Sequence, residues 1–200
     1  MAIKFQYNKT ALHNLTKQLK IREKALPTLK NKEAALRVEV KKAKAEYEAL
    51  EKKLNDKLKA YNHAMELWEE FDNTLVAIED VNLSVKKIAG VKTPVLEKVI
   101  FNVAPFSMFN KPDWYLDGIA IVKELAAFAI ESEIFMQKTK LLEHARRKTT
   151  QKVNLYEKVQ IPGFQDAIRK IKRYMEDEEN LSKAAQKIVK SRLQEMEESL

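Results

Sequence analysis

Steps of three and four residues, taken alternately from Leu12, land on Leu12, Leu15, Leu19, Arg22, Leu26, Leu29, Glu33, Leu36, Val40, Ala43, Tyr47, Leu50, Leu54, Lys57, Tyr61, Ala64, Trp68, Phe71, Leu75 and Ile78. Arg22, Glu33 and Lys57 alone interrupt the seam. A 3-4 repeat held this long is a coiled-coil signature and predicts one helix from residue 12 to 78. At 1.5 Å per residue its length is on the order of 100 Å. Pro27 lies inside it, removes a backbone donor and predicts a kink.

A second, more polar seam runs through Ile121, Leu125, Phe128, Ser132, Phe135, Thr139, Leu142, Arg146, Thr149, Val153, Tyr156 and Gln160. It slips by one residue at Pro162-Gly163, then resumes as Phe164, Ile168, Ile171, Met175, Glu178, Ser182, Ala185, Val189, Arg192 and Met196. A straight helix drifts about 20° per heptad against a seven-residue repeat, so one extra residue resets the stripe after several heptads. Asn110-Lys111-Pro112-Asp113 suits the start of this second helix, with a cap residue and an early proline.

Between the helices the period changes. Val81, Leu83 and Val85 alternate, as do Val99, Phe101 and Val103, with Gly90 and Pro94 between them, which predicts a β-hairpin. The resulting fold class is mainly α: a long antiparallel two-helix coiled coil, with a small β-hairpin region at the end distal to the termini. Its segments are 1–79 (first helix), 80–111 (hairpin and connection) and 112–200 (second helix). The seam alone also permits pairing between two copies, because heptads do not say whose helix is the partner.

Composition agrees with long helices. Three glycines, five prolines and no cysteine in 200 residues leave few turn-formers, and 33% charged residues supply a wide polar face. The most apolar stretch, Leu116 to Ile134, is broken by five charges and falls short of a membrane span. The first residues lack the apolar core of a signal peptide, so the expected location is inside the cell.

Charge is uneven. Residues 1–44 carry a net +9, 45–80 a net −6, 81–144 a net +1, 145–175 a net +7 and 176–200 a net −3. In an antiparallel fold the end bearing the termini is strongly basic, which calls for an acidic partner. Nucleic acid is disfavoured: the positives are spread along heptads and the aromatics lie on seams rather than on a stacking platform.

Candidate chemistry is sparse. His13, His63 and His144 are far apart and form no i, i+4 metal pair. Glu66, Glu69, Glu70 and Asp72 cluster near Trp68, and read as solvated charge rather than an acid/base pair. Gly90-Val91-Lys92-Thr93 lacks the glycine spacing of a phosphate loop. No catalytic group, metal or cofactor is therefore expected. Trp114 and Tyr115 sit off the seam, either as an exposed docking patch or as packing against the hairpin.

The run Arg146-Arg147-Lys148-Thr149-Thr150-Gln151-Lys152-Val153-Asn154-Leu155-Tyr156-Glu157, followed by Ile161-Pro162, Ile168 and Ile171, resembles the C-terminal signature of the D subunits of V-type and archaeal A-type ATPases. Asn8-Lys9-Thr10 and Leu29-Lys30-Asn31-Lys32 are similar to that family's opening helix, and Ile88-Ala89-Gly90-Val91-Lys92-Thr93-Pro94 to its Gly-Val-x-x-Pro hairpin. The resemblance implies a non-catalytic rotor shaft in the central stalk, coupling ATP turnover to ion transport. It implies catalytic A and B subunits around the shaft, with the small F subunit and the funnel-shaped C/d subunit below, on the cytoplasmic side and reaching the membrane only through the complex. Under it, Arg22, Lys24, Arg146, Arg147 and Lys152 form a hexamer-facing basic end, and Gly90 and Pro94 mark a regulatory or docking hairpin. The competing reading is a homodimeric coiled-coil scaffold whose basic end binds nucleic acid or anionic membrane.

Overall fold

A computed structural model of the chain describes residues 4–61, 71–72 and 74–198. The elements are α1 (Lys9–Ala60), β1 (Val76–Ile88), β2 (Val91–Val103), a 3-10 turn (Met108–Asn110), α2 (Tyr115–Leu155), a π turn (Tyr156–Gln160) and α3 (Ile161–Glu198). The chain is mainly α with one two-stranded antiparallel hairpin. Asn8 starts α1 as an N-cap: its side-chain oxygen accepts the Ala11 N–H at 2.6 Å and its carbonyl accepts the Leu12 N–H at 3.1 Å. The helix continues through Pro27 and ends with Lys57 and Lys59 in its last turn, where cations meet the negative helix terminus.

The chain forms two compact units. In the first, Met1–Asn31 joins Thr149–Leu200. Leu15, Phe164, Ala167 and Ile171 are its buried centre, flanked by Leu12, Leu19, Ile168 and Met175. The two segments run antiparallel, because Lys30 meets Glu157 while Tyr7 meets Tyr174.

The second unit is Lys32–Lys148. Its helix segments are also antiparallel: Lys44 pairs with Glu143, Glu46 with Lys138 and Lys57 with Glu124. Leu36, Val40, Ala43 and Leu142 form one buried cluster and Phe71, Leu75, Tyr115 and Ile119 another. Every seam position of α1 and α2 is buried or half-buried. Ser132, Thr139 and Thr149 are buried among them, and Thr139 returns its hydroxyl to the Phe135 carbonyl at 2.8 Å. That internal bond satisfies the donor without a partner across the interface.

Two sequence expectations change. The helix predicted to residue 78 ends at Ala60 among the described residues, and Ile78 lies in β1. Leu75 and Ile78 match the heptad, but Leu75 is buried in a non-helical segment beside Tyr115. Ala64 and Trp68 lie outside the described residues. The second helix begins at Tyr115, whose N–H donates to the Pro112 carbonyl at 3.1 Å, a few residues later than the Asn110–Asp113 signal. Gly118 fits closely there: a Cβ would come within 3.2 Å of the Phe71 ring and 3.3 Å of the Trp114 ring, so these rings would have to give by a few tenths of an ångström.

The hairpin starts beside the Tyr115 cluster and runs back along its own unit. At its tip, Ile88, Ala89 and Val91 pack on the Leu36–Leu142 cluster. The turn carries positive φ at both central residues, Ala89 at 48° and Gly90 at 80°, the geometry of a tight turn that matches strand twist. Glycine adopts it freely, whereas Ala89 is in a region alanine rarely occupies and keeps its methyl against the helices.

Candidate functional site

Polar side chains tie helix segments together at Lys30–Glu157, Arg22–Gln160, Lys44–Glu143, Glu46–Lys138 and Lys57–Glu124, while others pair within a single helix, as Arg37 does with Glu33 and Lys183 with Glu179. Two of the three charges that interrupt the first seam turn inward over aromatic rings. The Arg22 guanidinium lies 4.5 Å from the Phe164 ring centroid and 5.9 Å from that of Tyr156, and its Nε donates to Gln160 at 2.6 Å. The Lys57 ammonium sits 4.5 Å from the Phe128 ring and pairs with Glu124. A cation over an aromatic face keeps its charge while filling a seam position. Glu33, the third, pairs with Arg37 one turn on at 3.0 Å.

The expected basic end divides between the units. Arg22 is engaged inside the first helix pair, whereas Lys24 and Lys152 of the same unit are exposed. Arg146 and Arg147 belong to the second unit: Arg147 pairs with Glu143 at 3.3 Å, and the Arg146 Nε is buried without a hydrogen-bond partner.

Tyr115 is not part of an exposed patch. Only 1% accessible, it stacks against Phe71, Trp114 and Phe106 at centroid distances of 5.0, 5.5 and 5.8 Å. Its hydroxyl accepts the Asp72 N–H at 3.0 Å and the Lys111 ammonium at 3.2 Å. Packing thus prevails over docking at Tyr115, whose ring is enclosed and whose hydroxyl oxygen accepts two hydrogen bonds. Trp114 is half-buried against the same cluster. The exposed apolar side chains of this region are Met108, Leu116 and above all Phe109, which is 99% accessible. They stand on a 3-10 turn capped by Ser107 and at the start of α2, without a periodic signal to single them out.

Gly90 is exposed at the hairpin tip, and Pro94 pairs with Val85 in the adjoining strand. Thr93 beside it is fully buried, its hydroxyl donating to the Lys86 carbonyl at 2.9 Å. On the opposite face Leu83 and Val85 are exposed.

Among the described residues, no three His, Cys, Asp or Glu side chains are grouped to hold a metal. His63, Glu66, Glu69 and Glu70 lie outside them. Asp72 is described, and its carboxylate accepts the Thr74 hydroxyl at 2.7 Å and the Thr74 N–H at 3.0 Å, which holds its pKa below the ordinary value. That is a turn-forming aspartate.

Among the described residues, α3 carries an extended run of exposed apolar side chains. Tyr174 already meets Tyr7, and past Met175 the helix continues to Glu198 with Leu181, Ile188, Val189, Leu193 and Met196 exposed, Leu181 to 72%. A helix this apolar along one side is built to be covered.

Antiparallel helix pairs braced by cation–ring contacts, a packed β-hairpin and an apolar helix end define a mainly α protein. The sequence profile of the ATP synthase D subunits matches residues 11–191, and the chain belongs to that family. It is 30% identical over 178 residues to the V-type ATP synthase D subunit of Chlamydia muridarum, covering 86% of this chain and 88% of that one. It is 29% identical over 194 residues to the V-type ATP synthase D subunit of Borreliella burgdorferi, covering 95% of each.

Proposed function

We propose that the chain is the central-stalk rotor of a V-type ATPase, a non-catalytic shaft that couples ATP turnover in a ring of A and B subunits to rotation and ion transport. The observation that carries this reading is the family match along 11–191, joined to an α3 end whose apolar residues need a sleeve. A shaft transmits torque through packed helices and must turn without locking, which favours many modest contacts over one deep anchor. Its asymmetry biases otherwise equivalent catalytic sites by touching each conformation differently. The chemistry of ATP resides in the partners.

The exposed cations Lys24 and Lys152 are the members of the basic end that face acidic or carbonyl-lined parts of the ring in this reading. The hairpin around Gly90 and Pro94 serves docking or regulation. The region of Met108, Phe109 and Leu116, in place of Tyr115, meets the F subunit or the C/d subunit of the stalk. Among the described residues no helix is long and apolar enough to cross a membrane, in keeping with a place in the peripheral sector. The same reading puts the chain on the cytoplasmic side.

Native mass spectrometry of this chain mixed with the A and B subunits of its own organism tests the proposal. One copy per six-membered ring is expected, since an axial element meets a threefold ring once. A stable homodimer that ignores the ring and binds polyanions in a salt-dependent way would replace the shaft with the scaffold reading.

A further inference from the structure

In the first unit, one level of the helix pair is short of backbone hydrogen bonds on both sides. On α1, Pro27 has no N–H to offer the Glu23 carbonyl. Facing that stretch, Tyr156–Gln160 is a π turn in which the Ile161 N–H reaches five residues back to the Tyr156 carbonyl, and Pro162 follows with no donor of its own. None of the five π-turn residues is buried. The apolar packing lies to either side, around Val153 and around Leu15, Phe164, Ala167 and Ile171.

No side chain at this level is fully buried: Leu26, Leu29 and Ile161 are only half-buried, and the ties across it are polar. Lys30 donates to Glu157 at 2.6 Å and Arg22 to Gln160 at 2.6 Å, so the two ties straddle Pro27 on one helix and converge on the π turn of the other. Arg22 also rests on Tyr156, the first residue of the π turn, and on Phe164, in the first turn of α3 beyond it. An interdigitated core resists distortion and re-forms only in one arrangement, whereas an exposed ion pair such as Lys30–Glu157 exchanges with water and remakes cheaply, and the half-buried Arg22–Gln160 contact is a single polar tie rather than a packed layer.

We infer that this level is a yielding joint, where the helix pair opens, bends or twists locally before the packed segments on either side, with the Lys30–Glu157 and Arg22–Gln160 ties limiting the excursion. The joint belongs to the chain itself and does not depend on the rotor reading, so its test needs no ATPase partner.

Hydrogen exchange of the full chain, resolved by peptide, reads local opening directly. Amides in 22–31 and 156–163 are expected to exchange at least roughly tenfold faster than those in 12–20 and 164–174. Uniform protection across the four segments would overturn the inference. Pro27→Ala, which restores a donor to the Glu23 carbonyl, is expected to slow exchange in 22–31 several-fold. The pair Lys30→Met with Glu157→Gln is expected to quicken exchange at the joint and leave the flanks unmoved. Acceleration spread equally over the flanks would show ordinary stability contacts, and no response to either change would show that these groups do not govern the opening; each overturns the joint.

Discussion

Tyr115→Ala is expected to destabilise the second unit by about 3–5 kcal/mol, the range for removing a large buried aromatic. The ring is enclosed by Phe71 from the segment before β1 and by Phe106 and Trp114 from the connection between β2 and α2, so its loss leaves a cavity walled by separate stretches of chain. Tyr115→Phe separates ring from hydroxyl. It keeps the packing and removes the acceptor of the Asp72 N–H and the Lys111 ammonium, for a loss of about 1–2 kcal/mol. Urea unfolding followed by near-ultraviolet circular dichroism, which sees Trp114 and its neighbours, measures both. An alanine variant within about 1 kcal/mol of the parent would mean that this aromatic cluster is not a core.

Leu142→Ala is expected to cost about 2–5 kcal/mol. Leu142 is wholly inaccessible and touches two layers at once: α1 through Leu36, Val40 and Ala43, and the hairpin tip through the same cluster. Its truncation therefore predicts a second effect, loosening of Ile88–Val91, readable as faster amide exchange there. Leu181→Ala is the matched control on α3; with most of that side chain in water, its effect on isolated-chain stability should stay within about 0.5 kcal/mol. Equal losses at Leu142 and Leu181 would contradict the packing described here.

The helix pairing was legible because burial in a two-helix interface imposes a period, and the seam from Leu12 to Tyr61 follows it residue by residue. The one-residue slip was legible too, and takes the form of the π turn just before Pro162. The end of α1 was not, since Leu75 and Ile78 satisfy a heptad for reasons unrelated to a helix: one fills an aromatic cluster and the other belongs to a strand. The strands are longer than their alternation suggested. Ile78 pairs with Phe101 and Asp80 with Ile100, leaving Glu79 extra, and Asn82 pairs with Lys98 and Leu83 with Leu96, leaving Glu97 extra. Each bulge breaks the period of two, so only Val81–Val85 and Val99–Val103 alternate recognisably. The candidate site was legible in part. Charge runs marked the basic segments, but whether Arg22 faces outward or lies over Phe164 is set by the opposing helix. The exposure of Phe109 follows from a turn with no repeat, and the uncovered end of α3 from α1 beginning at Lys9, opposite the stretch before Met175.

The π turn has a consequence for how the helix pair tolerates a change in length. Adding a residue to an α-helix normally rotates everything beyond it by about 100° and carries the apolar stripe off its partner. At Tyr156–Gln160 the surplus residue is taken up as a local loop in the ladder, and Val153 and Phe164 still face α1 on either side. This stretch works as a vernier: loss of one residue here converts the π turn to ordinary helix and leaves both flanking stripes aligned.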